Sequence, residues 1–204
     1  MMASVQEKIP GLVLASGSPR RREILERLGL RFRVHSSDVE EIDVFESSPD
    51  DYVLANARLK SEAVASIFPD EVVLAADTAV FFEDRVLNKP ADREEAAFML
   101  GQLSGRRHNV WTGIRLCHRA SGQEWSEAVC SEVSFKFFDW VAIRTYFERV
   151  NPLDKAGAYG IQEHGELLGA SCRGSFTNVM GLPMEETARA LAAFGLHSGE
   201  EDRG

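Results

Sequence analysis

The sequence predicts an α/β protein with a mixed central sheet flanked by helices, and three observations carry that prediction. Val72-Val73-Leu74-Ala75-Ala76 is an unbroken apolar run, the mark of a strand covered by helices on both faces. Segments of helical periodicity, each opened by a capping residue, alternate with such runs. Two long stretches rich in β-branched and aromatic residues flank Ser121-Gly122, which adds an antiparallel pair and makes the sheet mixed.

Taken in chain order, Leu12 to Ala15 reads as a short buried strand. Ser18 is an N-cap and Pro19 suits the first helical position, where a missing N–H costs nothing. Arg20 to Leu28 then forms a helix with Ile24, Leu25 and Leu28 inward and Gly29 as terminator. Arg31 to His35 is a second short strand. Ser48-Pro49-Asp50 opens a long helix to about Phe68, whose buried stripe is read as Tyr52, Ala55, Leu59, Ala63 and Ile67 with Lys60 on its margin. The run from Val72 delivers Asp77 at its carboxyl end, where ligands of such sheets sit. Val80–Phe82 and Arg85–Leu87 form a hairpin that presents Lys89-Pro90, and Asp92 caps a helix to Leu103 packed through Ala96, Ala97, Met99 and Leu100. Val110–Cys117 and Glu127–Phe137 are the long antiparallel pair, Asp139 to Val150 is helical, Ala156 to Gly181 is turns and short strands, and Pro183 to Phe194 is the closing helix.

No repeat, low-complexity block or linker divides the 204 residues, so one domain spans 1–204, with the acidic stretch 198–204 as a disordered tail. A chain of this length buries roughly 70% of its unfolded surface and needs no staple. A net charge of −9 argues against a nucleic-acid or membrane-surface partner. Cys117, Cys130 and Cys172 are odd in number and lack C-x-x-C spacing, so neither a disulfide framework nor a thiolate zinc site is expected. With no apolar signal core or membrane-length segment, the expected location is the cytoplasm.

The chemistry concentrates around Ser16-Gly17-Ser18-Pro19-Arg20-Arg21. Free N–H groups and the positive dipole end of a helix point back at the Ser16-Gly17 turn, and Arg20 and Arg21 can add bidentate contacts to phosphate oxygens. A solvated basic first turn is the competing description. Asp77 on a buried strand needs a cation or a dense set of donors. A magnesium or manganese ion bridging phosphates would satisfy it, and the carboxylate could orient or deprotonate a water attacking phosphorus. A cap bonded to Thr78 and loop N–H groups would satisfy it equally. Glu40 and Glu41 form either a solvated acidic turn or part of an oxygen-rich metal site. Lys60 and Lys89 are either surface lysines or phosphate ligands, Lys89 being better fixed by Pro90. Gly157, Gly160, Gly165 and Gly169 around Tyr159 and Gln162 fit simple turns or a backbone folded against a ligand whose base edge an amide could read. The histidines show no metal-ligand spacing, and no Walker motif is present.

Taken together, these residues with Ala76-Asp77-Thr78, Lys89-Pro90, Leu103-Ser104-Gly105, Asp154-Lys155-Ala156-Gly157-Ala158-Tyr159-Gly160-Ile161-Gln162 and Asn178-Val179-Met180-Gly181-Leu182-Pro183 resemble the Maf family of nucleoside triphosphate pyrophosphatases, in order along nearly the whole chain. The resemblance implies two lobes around a nucleotide-binding cleft, and hydrolysis of a nucleotide to its monophosphate and pyrophosphate with Mg2+, Mn2+ or Co2+. It implies that Asp77 is catalytic and Glu41 a second acidic residue, so that these two hold the metal. Arg21, Lys60 and Lys89, beside the Ser16 turn, would contact phosphates, while Arg20, Thr78 and Gln162 would govern substrate choice. The Arg-Arg pair, Asp-Thr and Lys-Ala-Gly-Ala-Tyr-Gly-Ile-Gln resemble the branch acting on dTTP and UTP. The sequence departs from the family pattern at Glu163, where glycine is common, and at Cys172 and Phe176. A homodimer is the expected partner state. A nucleotide-binding regulator of cell division and septum formation, or a 7-methyl-GTP pyrophosphatase, are the alternative functions.

Overall fold

The computed structural model describes residues 10–44 and 48–197, so the acidic stretch 198–204 lies outside the described residues. The elements in order are β1 (Leu12–Leu14), α1 (Pro19–Arg27), β2 (Phe32–Val34), α2 (Pro49–Ile67), β3 (Val72–Phe82), β4 (Arg85–Leu87), α3 (Arg93–Leu103), β5 (Arg107–His118), β6 (Gln123–Ser134), α4 (Trp140–Phe147), β7 (Ser171–Arg173), α5 (Phe176–Met180) and α6 (Met184–Ala193). Between α4 and β7 the chain makes two 3-10 turns, Ala156–Ala158 and Gly165–Leu168.

The sheet runs β2-β1-β3-β5-β6-β7, with β4 paired to β3 off that path. β1 lies parallel to both β2 and β3, and every other pair is antiparallel, which is the mixed sheet the sequence predicts. Strand alternation sorts β3 between two cores. Val72, Leu74, Ala76 and Val80 join the large cluster that includes Leu25, Leu100, Tyr146 and Leu191, whereas Val73 and Ala75 pack with Val64 and Ala65 of α2.

Three expectations change. Asp77 does not end its strand: β3 continues to Phe82, paired with β5 as far as Phe81. What ends is β1, whose last pair is Leu14 with Leu74, so the edge of β3 between Leu74 and Val80, where β4 begins to pair, faces the cleft. The buried face of α2 is also rotated from the expected stripe. It consists of Tyr52, Val53, Asn56, Ala57, Lys60, Ser61, Val64 and Ala65, while Leu59 and Ile67 are exposed. The polar Asn56, Lys60 and Ser61 on that face broke the apolar pattern. Finally, the long hairpin pairs Arg107–His118 with Gln123–Ser134, so Phe135 to Phe137 leave the ladder.

Gly113 lets α2 approach the sheet. A Cβ there would stand 2.6 Å from the carbonyl carbon and oxygen of Val53 and 2.8 Å from the Leu54 nitrogen. Gly113 is the cross-strand partner of Asp77, so the close approach brings α2 down beside that carboxylate.

Candidate active site

A cleft of about 630 Å³ opens where β1 ends, and Ser16, Arg20, Arg21, Glu41, Lys60, Asp77, Thr78, Lys89 and Gln162 all line it. The structure therefore brings together the residues that the family resemblance assigns to the site, while Glu40, Gly165 and Gly169 do not line the cleft. It forms because β1 stops at Leu14 and the chain turns through Ser16-Gly17 into α1. Ser18 caps α1, its hydroxyl accepting from the Arg21 amide at 3.5 Å, and the Ser16 hydroxyl accepts from the Ser18 amide at 3.2 Å. The start of α1 thus borders the cleft with its positive end.

Consecutive residues of β3 serve opposite faces of the sheet. Asp77 faces α2, and its Oδ1 lies 2.6 Å from the Lys60 ammonium. Glu41 Oε1 lies 3.0 Å from the same nitrogen. Lys60 and Asp77 are both buried, so each offsets the desolvation of the other. This partner replaces the cap through Thr78 that would have satisfied Asp77 otherwise. Burial pushes the Glu41 carboxyl up, but the adjoining Lys60, with Lys89 and Arg21 nearby, outweighs it and holds the group below its ordinary value.

Thr78 faces the other way, into a network that fixes Arg21. The guanidinium donates through Nε to the Gly181 carbonyl at 2.8 Å, through Nη1 to Ser16 Oγ at 3.1 Å and through Nη2 to Thr78 Oγ1 at 3.1 Å. Thr78 Oγ1 also lies 2.9 Å from Thr112 Oγ1, which donates to the Asn178 carbonyl at 3.0 Å. Burial pushes the Arg21 pKa down, opposed by Asp77 and Glu41, and a guanidinium remains charged under such pressure. All three acceptors are neutral, so its charge is directed at the cleft rather than cancelled at contact. Lys89 is exposed on the rim.

Arg20 behaves differently from its neighbour. Its Nη1 lies 3.4 Å from Asp154 and 3.3 Å from Glu163, so this guanidinium is occupied by carboxylates from the 154–163 segment. Gln162 sits on that segment with Oε1 buried and without a hydrogen-bond partner among the described residues. A bound donor would satisfy it.

Sequence reasoning assigned no site role to Asn56, Lys155 or Glu163, although it quoted Lys155 in a motif and Glu163 as a departure from the family pattern. Asn56 clamps the loop carrying Glu41, accepting from the Ile42 amide at 2.7 Å and donating to the Ile42 carbonyl at 3.0 Å. Its signal was available, since an asparagine one turn before Lys60 shares its face. Lys155 and Glu163 meet only through the fold of a glycine-rich loop, which no spacing rule reads.

Two carboxylates, Glu41 and Asp77, converge on the point where Lys60 now supplies one positive charge. That donor set fits a hard divalent cation that takes its remaining oxygens from phosphate and water. Among the described residues no group of three or more His, Cys, Asp or Glu could hold a metal unaided.

The chain is similar to known proteins. A dTTP/UTP pyrophosphatase of Akkermansia muciniphila is 44% identical over 187 residues, 92% of this chain and 98% of that protein. One of Anaeromyxobacter dehalogenans is 48% identical over 188 residues, 91% of this chain and 95% of that protein. A solved Mycobacterium abscessus structure, a nucleoside-triphosphatase / dITP/XTP pyrophosphatase, superposes with a TM-score of 0.44 at 17% identity, over 90% of this chain and 97% of that one. The family model described as Maf-like protein matches residues 11–194, and with that span and relatives this similar, the chain belongs to the Maf-like protein family.

Proposed function

We propose that this protein is a nucleoside triphosphate pyrophosphatase that hydrolyses dTTP and UTP to the monophosphate and pyrophosphate with a divalent metal, Mg2+, Mn2+ or Co2+. The observation that carries the reading is the Asp77–Lys60–Glu41 cluster facing the start of α1 across one cleft. The names of the relatives supply the substrate class. Water adds at phosphorus, the anhydride bond between the α- and β-phosphates breaks, and the bridging oxygen leaves with pyrophosphate. Asp77 orients that water and takes up its proton. Ser16, Arg21, Lys89 and the first amides of α1 hold the phosphates and the charge that develops on them, while Lys60, paired with Asp77 and Glu41, holds those two carboxylates in place. Asp77 and Glu41 would hold the metal, which would supply polarisation of phosphate oxygens. Arg20, Thr78 and Gln162 govern the choice of nucleoside.

The reading places the enzyme in the cytoplasm, consistent with three free thiols, and in a homodimer on the family resemblance. No helix of the described residues is long and apolar enough to cross a membrane.

The test is release of pyrophosphate, as distinct from orthophosphate, from a panel of canonical and modified nucleoside triphosphates with each metal added. Pyrophosphate from dTTP and UTP, lowered about 10²- to 10⁴-fold by Asp77→Asn, is the expected result. Turnover of 7-methyl-GTP in preference would correct the base assignment. Binding of nucleotides without any turnover would replace the enzyme by a nucleotide-sensing regulator of division.

A further inference from the structure

Four charges meet on the cleft wall built by the 154–163 segment. Arg20 Nη1 lies 3.4 Å from Asp154 Oδ2 and 3.3 Å from Glu163 Oε1, and Lys155 Nζ lies 2.8 Å from Asp154 Oδ1 and 3.0 Å from Glu163 Oε2. Each carboxylate therefore spans both cations with its two oxygens, and the formal charges cancel. Lys155, whose side chain is 3% exposed, also donates to the Asn151 carbonyl at 3.0 Å. The pair rests on Gly160, where a Cβ would stand 2.9 Å from Lys155 Cε and 3.1 Å from Glu163 Oε1. Gly160, the residue that leaves room for them, itself lines the cleft.

Arg21 and Lys89 present the opposite case. Arg21 bonds only to neutral acceptors, and among the described residues neither it nor Lys89 has a carboxylate within ion-pair distance. One cleft thus contains two kinds of cation. Those at contact with two carboxylates offer little attraction to a phosphate, since a new anion must displace an existing one. Those without a carboxylate partner attract it.

We propose that Glu163 is a specificity-determining residue that cancels Arg20 and Lys155 and so confines phosphates to the Arg21 and Lys89 side. The wall carrying Gln162 is then left to the uncharged nucleoside. The assignment rests on the reading of the cleft as a nucleoside triphosphate site. Without the Glu163 charge, the wall gains one net positive charge and becomes a second place for phosphates, which lets the substrate bind in the wrong direction.

The experiment is calorimetric titration of inorganic triphosphate into the full chain, comparing the wild type with E163Q at low and moderate salt. E166Q removes the same unit of charge from an exposed carboxylate three residues away that pairs with His164 instead. E163Q is expected to bind triphosphate about tenfold more tightly with a steeper salt dependence, the scale of one uncompensated charge near a surface, and E166Q to bind as the wild type does. Unchanged or weaker binding by E163Q, or an equal shift in E166Q, overturns the proposal. If E163Q fails to fold, D154N removes the other bridging charge and is judged by the same two results. The titration needs no turnover. A wild-type chain that hydrolyses no nucleotide, yet shows the E163Q shift, would overturn the pyrophosphatase reading and leave this assignment standing, whereas absence of triphosphate binding to all variants overturns both.

Discussion

Lys60 Nζ lies 2.6 Å from Asp77 Oδ1, a contact between the long helix on one face of the sheet and the strand at its centre. Both side chains are almost fully covered, at 10% and 8% exposure, so the pair is the main compensation either charge has for leaving water. Removing one partner of such a pair leaves the other stranded. Lys60→Met is therefore expected to cost about 3 kcal/mol in chemical denaturation. Asp77→Asn leaves the ammonium with Glu41 and is expected to be milder in stability, while pyrophosphate release falls by about 10²- to 10⁴-fold, the range of a lost general base. Equal stability losses in the two variants would contradict this account.

The contact depends on how closely α2 can approach β5. Gly113→Ala places a methyl against the Val53 backbone, which cannot swing aside as a side chain can, so the helix must move. An expected cost of about 1–3 kcal/mol follows from overpacking. Because the helix carries Lys60 with it, kcat should fall as well. The same substitution at Gly101 of α3, where the nearest atom is a Trp140 ring carbon at 3.8 Å, should leave kcat unchanged and stabilise slightly through helix propensity. Denaturation and turnover of the two variants, measured side by side, check both halves.

The architecture was legible where local signals agree with the fold. Ser18-Pro19, Ser48-Pro49 and Asp92 each open the helix expected of them, and the run at Val72 is buried on both faces as an apolar run should be. The site was legible because its residues sit in local motifs at a turn and on a buried strand. What could not be read depends on pairings distant in sequence. Asp77 lies in mid-strand because β3 stays paired with β5 past it, and it reaches the cleft because β1 stops at Leu14; nothing in the sequence near Asp77 records either pairing. The buried face of α2 was misjudged because function placed polar side chains on it, the circumstance in which hydrophobic pattern fails. The bridging of Arg20 to Glu163 joins residues 143 positions apart.

His108 is a buried histidine beneath the cleft, with Nε2 2.6 Å from the hydroxyl of Tyr159, a cleft-lining residue, and Nδ1 without a partner among the described residues. Burial pushes its pKa from 6.5 down to about 4. The neutral form is thus favoured by folding, and its contribution is fully present above pH 6.5 and lost as the pH falls toward 4, to a total of about 3 kcal/mol. His108→Gln, which keeps a polar group beside Tyr159, should flatten stability across that window. Urea midpoints at pH 7 and pH 4.5 should converge more in the variant than in the wild type. An unaltered pH slope would show that His108 is not the group responsible.

Gln162 supplies the clearest test of base choice. Its Oε1 is buried and unpartnered among the described residues, beside the wall where Arg20 and Lys155 are neutralised. Uracil and thymine present an imide N–H between two carbonyls, so a buried amide oxygen can accept from the first while its NH2 donates to one of the second. Cytosine presents an acceptor in place of that N–H, which leaves the oxygen unsatisfied. Removing the amide removes the penalty along with the bond. Gln162→Ala should lower kcat/KM for UTP by about 10- to 100-fold, as expected for a hydrogen-bonded recognition group worth about 1–3 kcal/mol, while CTP changes little. The ratio of kcat/KM for UTP over CTP, measured in both proteins, reads this directly. A ratio unmoved by the substitution would place base recognition elsewhere in the cleft.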